Sequence, residues 1–334
     1  MDRVAILGTD WQLGFPEISP IDRAVQMSIS SALASAQMEL ADIDMVLTVG
    51  SDIMDGAMVA TRSGIAGSYS RQIMTVPSSA GHAFAAALSM IESGNVRNVL
   101  LVGWGEGTKF QALDSREIQA DPFYARPVGA DPVTMSVMQA QRLVSEGLID
   151  PDEAGRYGDA MREHAKVTQS FIGAARWLGT RWCDGACALV MAPAHGPGRQ
   201  VTIRDIGTSF EPYCPDPHRL NPADWVRSAV GAMSEGASLR GDALKVIEIG
   251  GPTPFSELAA LSGICAKSWQ SAQPKFNLSG GGAAAHFGPA TGLRRIICAA
   301  ETLSDADPGA LAGIVDLAGP IGQAVSVIAL EASS

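Results

Sequence analysis

The sequence predicts an α/β fold built from two similar βαβαβ halves, and three observations carry that prediction. Short apolar runs alternate with longer helical stretches through the first hundred residues, and the same rhythm restarts after residue 200. The runs are continuous rather than alternating, as strands of a parallel sheet covered by helices on both faces should be. The 334 residues are 46% apolar and 18% charged, with 36 Gly, which supports a large buried core and excludes disorder.

In chain order, a strand at Val4 to Leu7 precedes a helix around Ile21 to Met38, a strand Asp44 to Val49 and a strand Gln72 to Val76. A helix to Ser93 and a strand Val99 to Val102 follow. The rhythm stops between about Trp104 and Asp184, where Pro, Met and charged residues surround helices near Thr134 to Glu146 and Pro151 to Val167. This reads as an inserted, partly irregular region. After a strand Ala186 to Ala192 comes the linker-like His195, Gly196, Pro197, Gly198. The second half runs from Val201 to Ile206 through a helix Pro222 to Leu239, a strand Lys245 to Ile249 and a helix past Phe255. A Gly-rich segment Asn277 to Gly292, a helix to Leu303 and strands Leu311 to Leu317 and Ala324 to Leu330 complete it. The domain division is therefore 1–195 and 196–334, with the insertion at about 104–184.

Charge and cysteine usage remove whole classes of function. With 24 Lys+Arg against 35 Asp+Glu the formal charge is −11, and no basic face exists to release counterions from nucleic acid. Five cysteines without a CxxC pair read as reduced thiols of a cytoplasmic protein. The start, without a basic n-region or a long apolar h-region, does not read as a classical export signal, and no apolar run reaches the roughly 18 residues of a membrane span. The five His are scattered without ligand spacing, so no metal site is expected.

Two segments can carry chemistry. Val76-Pro77-Ser78-Ser79-Ala80-Gly81-His82 lies between a strand and an Ala-rich helix, where free amides hold an anion and activate a nucleophile. The bland alternative is a helix cap at Ser78 or Ser79, shaped by Pro77. The second segment is Asn277-Leu278-Ser279-Gly280-Gly281-Gly282, followed by His286. Its glycines allow backbone to approach a ligand, and a nearby His can act as base or oxyanion donor.

Together these segments resemble the thiolase superfamily, specifically its sterol carrier protein-type and archaeal-type members, over nearly the whole chain. The colinear series is Glu92-Ser93-Gly94-Asn95-Val96 leading to Leu101-Val102-Gly103; Arg126-Pro127-Val128-Gly129; Gln141-Arg142 with Gly147-Leu148; and Asp184-Gly185-Ala186-Cys187-Ala188. Glu248-Ile249 with Phe255 to Leu258, and Asn277 to Gly292, match segments of the second half. The resemblance implies a five-layered αβαβα fold, an acyl-CoA site beneath the inserted region, a homodimer and a place in lipid metabolism. Coenzyme A thioester would be substrate, with no permanently bound cofactor.

The sequence departs from that family at its chemistry. The nucleophilic Cys is missing, and either Pro77 or Ser78 stands in its place; Leu317-Ala318-Gly319-Pro320 replaces the second Cys segment. The resemblance leaves His286, Ser78 and Asn277 as catalytic candidates, with Gly280, Gly281, Gly282 and Gly319 as ligand-binding ones. These departures leave three enzymatic readings. Cys-based thiolysis is disfavoured, a serine acyltransferase would use Ser78 with His286, and a C–C lyase would need no covalent intermediate. Trp104-Gly105-Glu106 and Ser51-Asp52 with Asp55-Gly56 resemble thiolase-like enzymes that pair with a small OB-fold, zinc-ribbon protein, although Phe287 stands where the aldolases among them carry Tyr. The alternative is a catalytically degenerate scaffold that supports a partner chain. Two structural expectations accompany these readings: the helices after Ser78 and Gly288 lie side by side in the interior, and strand Gln72 to Val76 forms the dimer edge.

Overall fold

The computed structural model describes residues 3–14, 20–50, 64–65, 71–77, 79–108, 122–164, 179–194, 199–211, 220–234, 239, 243–265, 268–272 and 276–333. The first half contains β1 (Val4–Gly14), α1 (Ile21–Ser35), β2 (Met45–Val49), β3 (Gln72–Thr75), α2 (Ala80–Glu92) and β4 (Val99–Glu106). The insertion contributes α3 (Pro132–Ser145) and α4 (Pro151–His164) before β5 (Asp184–Pro193). The second half contains β6 (Gln200–Phe210), α5 (Pro222–Gly231), β7 (Leu244–Gly250), α6 (Pro254–Ile264), the single turn α7 (Gly281–Ala284), α8 (Thr291–Ser304), β8 (Leu311–Ala318) and β9 (Ala324–Ser333).

Local chemistry sets the helix starts. Asp131, Asn221 and Thr253 cap α3, α5 and α6 through side chains that accept backbone amides, and each is followed by a proline at the first helical position. Ser79 caps α2 by accepting from the amide of His82. The cap reading of the 76–82 segment therefore holds for Ser79, whereas Ser78 lies outside the described residues.

The strands form one sheet in the order β3-β2-β4-β5-β1-β6-β9-β8-β7. Its centre is the antiparallel join of β1 and β6, through Ala5 opposite Thr202 and Ile6 opposite Val201. Read outward from that join, the halves run 1-5-4-2-3 and 6-9-8-7, so the second repeats the first up to its last strand. The expected all-parallel sheet is corrected to a mixed one. β2 is parallel to β3 and β4, and β7 to β8, whereas β5, β1, β6 and β9 pair antiparallel. Apolar runs report burial, not direction: β5 returns from the insertion and β9 from a tight turn at 319–323, so neither follows a crossover helix. β1 also runs past Leu7 to Gly14, because Thr9, Asp10 and Gln12 keep pairing with β5. α5 stops at Gly231, short of Leu239.

Five layers result. α1 packs outside β1, β4 and β5; α5 packs on β6 and β9, and α6 on β7. Between them α2 and α8 contact each other, and each touches strands of both halves. The expectation of two adjacent interior helices is met. Beside α8, a methyl group at Gly103 of β4 would sit 2.8 Å from Cβ of Ala290, the residue before the helix. α3 and α4 pack on α6, so the insertion joins the core of the second half, where Tyr157 of α4 is fully buried. Among the described residues no helix is long and apolar enough to cross a membrane.

Candidate active site

A cavity of about 530 Å³ opens where the starts of α2 and α8 meet the end of β8. Pro77, Ser79 and His82 line one side, His286, Gly288 and Pro289 another, and Asp316 to Pro320 a third. Pro132, Val133 and Ser136 at the start of α3 cover it, which places the insertion over the site.

Ser79, His82 and Asp316 form one cluster on the wall. Asp316 Oδ2 accepts from the amide of Gly81 at 2.8 Å and from Ser79 Oγ at 3.3 Å. Ser79 Oγ lies 2.6 Å from His82 Nδ1, and Ser326 Oγ of β9 lies 3.3 Å from the same nitrogen. His82 Nε2 is buried without a hydrogen-bond partner, and the ring rests against Phe210 with centroids 4.2 Å apart. Burial pushes the His82 imidazole below its ordinary range. Burial also lifts the Asp316 carboxyl to about 6, against the opposing pull of the Gly81, Ser79 and Ala80 donors.

His286 faces the same cavity from the Gly-rich loop. Its main chain is clamped: its amide donates to the Arg181 carbonyl at 2.8 Å, and its carbonyl accepts from the Cys183 amide at 3.0 Å. Trp182 packs edge-on to the ring, with centroids 4.6 Å apart, and His286 Nδ1 is buried without a partner. Burial, helped by the charge of Arg295, pushes the imidazole down to about 3, so it is neutral at physiological pH.

The rest of the loop serves as support. Asn277, in the left-handed region at φ +45°, spends its carboxamide on the Ile249 amide at 2.6 Å and on Tyr157 Oη at 2.7 Å. It does not line the cavity that His286 faces. Gly280, Gly281 and Gly282 do not line it either. The Gly282 amide donates to Glu257 Oε1 at 2.8 Å, and a methyl group at Gly281 would strike Glu257, Asn277 and Tyr157 within 2.9 Å. The close approach that Gly281 and Gly282 make in the structure is to the buried Glu257 carboxylate. Arg295, fully buried, bonds Ser279 Oγ and donates to the Ala285 carbonyl at 3.0 Å, which fixes the backbone next to His286. Gly319 does line the cavity, at φ +85°.

No protein-family model matches the chain, and neither does any curated protein. Solved structures do match. Human mitochondrial 3-ketoacyl-CoA thiolase in complex with CoA is 13% identical with a TM-score of 0.74, covering 100% of this chain and 98% of that one. Acat5 thiolase from Ascaris suum in complex with coenzyme A is 14% identical with a TM-score of 0.71, covering 99% of this chain and 100% of that one. The Ltp2-ChsH2(DUF35) aldolase is 16% identical with a TM-score of 0.71, covering 99% and 98%. The chain has the thiolase fold.

Within this thiolase fold the cavity wall carries no cysteine among the described residues. Cys183 and Cys187 are buried elsewhere and Cys298 is half-buried on α8, and desolvation holds each thiol above its ordinary range, Cys183 at about 12. Each is thereby held in its thiol form, away from the cavity wall. Sequence reasoning named His82 only as the end of the 76–82 segment, and it missed Asp316 and Ser326. The available signal for Asp316 was a single carboxylate inside the otherwise apolar run Leu311–Ala318.

Proposed function

We propose that the chain is a cytoplasmic enzyme acting on a coenzyme A thioester, transferring the acyl group or making or breaking a carbon–carbon bond next to its carbonyl, without a cysteine acyl-enzyme. One observation carries this reading: an open cavity in a thiolase fold brings a neutral imidazole whose Nδ1 has no partner, His286, to the same space as a protonatable carboxyl, Asp316. A scaffold that had lost its chemistry would have no need to keep that space empty, so the cavity supports the enzyme over the degenerate-subunit reading. His286 supplies the polarising contact to a thioester oxygen. Asn277 and the three glycines hold the loop that presents it.

The same reading includes a homodimer paired along β3, an edge strand whose Ile73 and Met74 are 39% and 37% exposed. It also includes a small OB-fold, zinc-ribbon partner, the type of assembly that the resemblance implies. The test is incubation with short and long acyl-CoAs, with and without candidate partners, followed by product analysis and intact-mass measurement of wild type, Ser78→Ala and His286→Ala. Turnover lost in His286→Ala supports the reading. An adduct lost only in Ser78→Ala makes the reaction a serine acyl transfer, and absence of CoA-ester turnover from every mixture returns the scaffold.

A further inference from the structure

The His82 side of the cavity holds polar groups that the chemistry at His286 does not use. His82 is the third residue of α2, so its ring folds back onto the capping hydroxyl of Ser79, 2.6 Å from Nδ1. β9 presses on the same turn. A methyl group at Gly81 would strike Ser326 Cβ at 2.4 Å, and this approach brings Ser326 Oγ to 3.3 Å from Nδ1. One ring nitrogen therefore meets two hydroxyls, whereas Nε2 has no hydrogen-bond partner. Gln323, on the same wall, accepts the Ile321 amide through Oε1, and its NH2 group lies against Gly319, another wall residue. Phe210, at the end of β6, rests on the His82 ring with centroids 4.2 Å apart.

A polar atom sealed from water without a partner is costly, so an orphan ring nitrogen kept on a cavity wall marks a place for a ligand atom. Which atom follows from the tautomers of the neutral ring. With the proton on Nε2, Nδ1 accepts from a serine hydroxyl and Nε2 needs an acceptor; with the proton on Nδ1, Nε2 needs a donor. A hydroxyl group supplies either. Charge disfavours a carboxylate at the same place: Glu211 and Asp316 line the cavity, and no lysine or arginine does among the described residues, so a second anion would enter without a counter-ion. Val76, Val133 and Leu317 give the walls an apolar surface, and about 530 Å³ is far more space than an acetyl group needs. We propose that this side of the cavity is a subsite for the acyl chain of the substrate, where His82 Nε2 hydrogen-bonds a hydroxyl group carried on an otherwise apolar chain. This rests on the CoA-thioester reading of the cavity and specifies its substrate class as hydroxyacyl esters. Phe210 is the cover that turns aside to admit the hydroxyl to Nε2; at 69% exposure little packing holds it in place.

The experiment measures binding of octanoyl-CoA, of hydroxyoctanoyl-CoAs with the hydroxyl moved along the chain, and of the ω-carboxyl analogue by calorimetry. Wild type binds at least one hydroxy ester about 10-fold or more tighter than octanoyl-CoA, and the carboxyl ester binds weakest. His82→Leu loses the preference while holding octanoyl-CoA within about three-fold of wild type, and Phe210→Ala, which uncovers Nε2, keeps the preference. In wild type, the ¹⁵N signal of the His82 ring moves with that hydroxy ester and not with octanoyl-CoA, a readout that stands even if His82→Leu fails to fold. The inference is overturned if wild type binds octanoyl-CoA as tightly as every hydroxy ester, or if the carboxyl ester binds tightest. A preference that survives His82→Leu, one that is lost in Phe210→Ala, or an unmoved ring signal overturns it as well. Wild type that binds none of these esters overturns the CoA reading itself, a distinguishable result.

Discussion

The amide of Gly81 donates to Asp316 Oδ2 at 2.8 Å although 235 positions separate the two residues. The bond ties the start of α2, from the first half, to the end of β8, from the second. The cavity wall is thus assembled only when both halves are packed, and its integrity is readable as stability.

Gly292→Ala should therefore destabilise the protein and displace Asp316, since the added methyl would lie 2.1 Å from Oδ1. Overpacking of this kind costs about 1–3 kcal/mol. Gly94→Ala provides a comparison, because its φ of +72° is strained but nothing lies within 4 Å, and it should cost about 1 kcal/mol. Urea unfolding of both variants checks the order, and an equal or smaller loss for Gly292→Ala contradicts the packing argument.

Tyr157→Phe should cost about 2–4 kcal/mol without touching the cavity. The hydroxyl donates to Glu257 Oε2 and accepts from Asn277 Nδ2, both at 2.7 Å in the fully buried support under the loop. Its removal takes this partner from Glu257 Oε2 and from Asn277 Nδ2, while their bonds to the Gly282 and Ile249 amides remain. A variant as stable as wild type in chemical denaturation would mean that water replaces the hydroxyl.

Two groups should give opposite pH dependences of stability. Burial raises the Glu257 carboxyl to about 7 from an ordinary value of 4.5, so the folded protein binds this proton more tightly than the unfolded chain. Its contribution is complete below 4.5 and is lost as pH rises through 7. Burial lowers His286 to about 3 from 6.5, so its contribution is present above 6.5 and is lost as pH falls toward 3. Unfolding measured at several pH values checks the signs. Relative to wild type, Glu257→Gln should become less stable as pH falls from 7 to 4.5. His286→Asn should become relatively more stable as pH falls below 6.5. Differences that stay flat across these ranges would contradict the burial of both groups.

If His286 polarises the thioester, His286→Ala should lower kcat about 10²–10³-fold and leave KM little changed. Steady-state kinetics on whichever acyl-CoA is turned over provides the check. A rise in KM alone would make the ring a binding contact.

Much of the fold was legible because the strands and interior helices are long apolar runs with Pro, Gly and Ser at their boundaries. Strand direction was not, since Met45–Val49 and Asp184–Pro193 are buried alike but run oppositely beside β4. His286 stood out because glycines frame it. Asn277 and Gly280 to Gly282 drew attention for the same reason, yet their partners Tyr157 and Glu257 lie 120 and 25 positions away from Asn277 and Gly282, beyond any local pattern. Asp316 was hidden because a polar residue in a strand gives no hint of whether it faces a helix start or solvent.

The burial of Tyr157 against α6 also bears on how this chain can fold during synthesis. Its two partners, Glu257 and Asn277, are made 100 and 120 residues later. Until they emerge from the ribosome, α4 has no surface to dock on and α2 lacks half of its packing shell, so the nascent first half exposes apolar surface over that interval. Translation stalled at residue 195 should leave α4 open to protease, and release of the whole chain should close it. A newly made molecule thus depends on uninterrupted elongation or on a chaperone in a way that its compact mature form does not reveal.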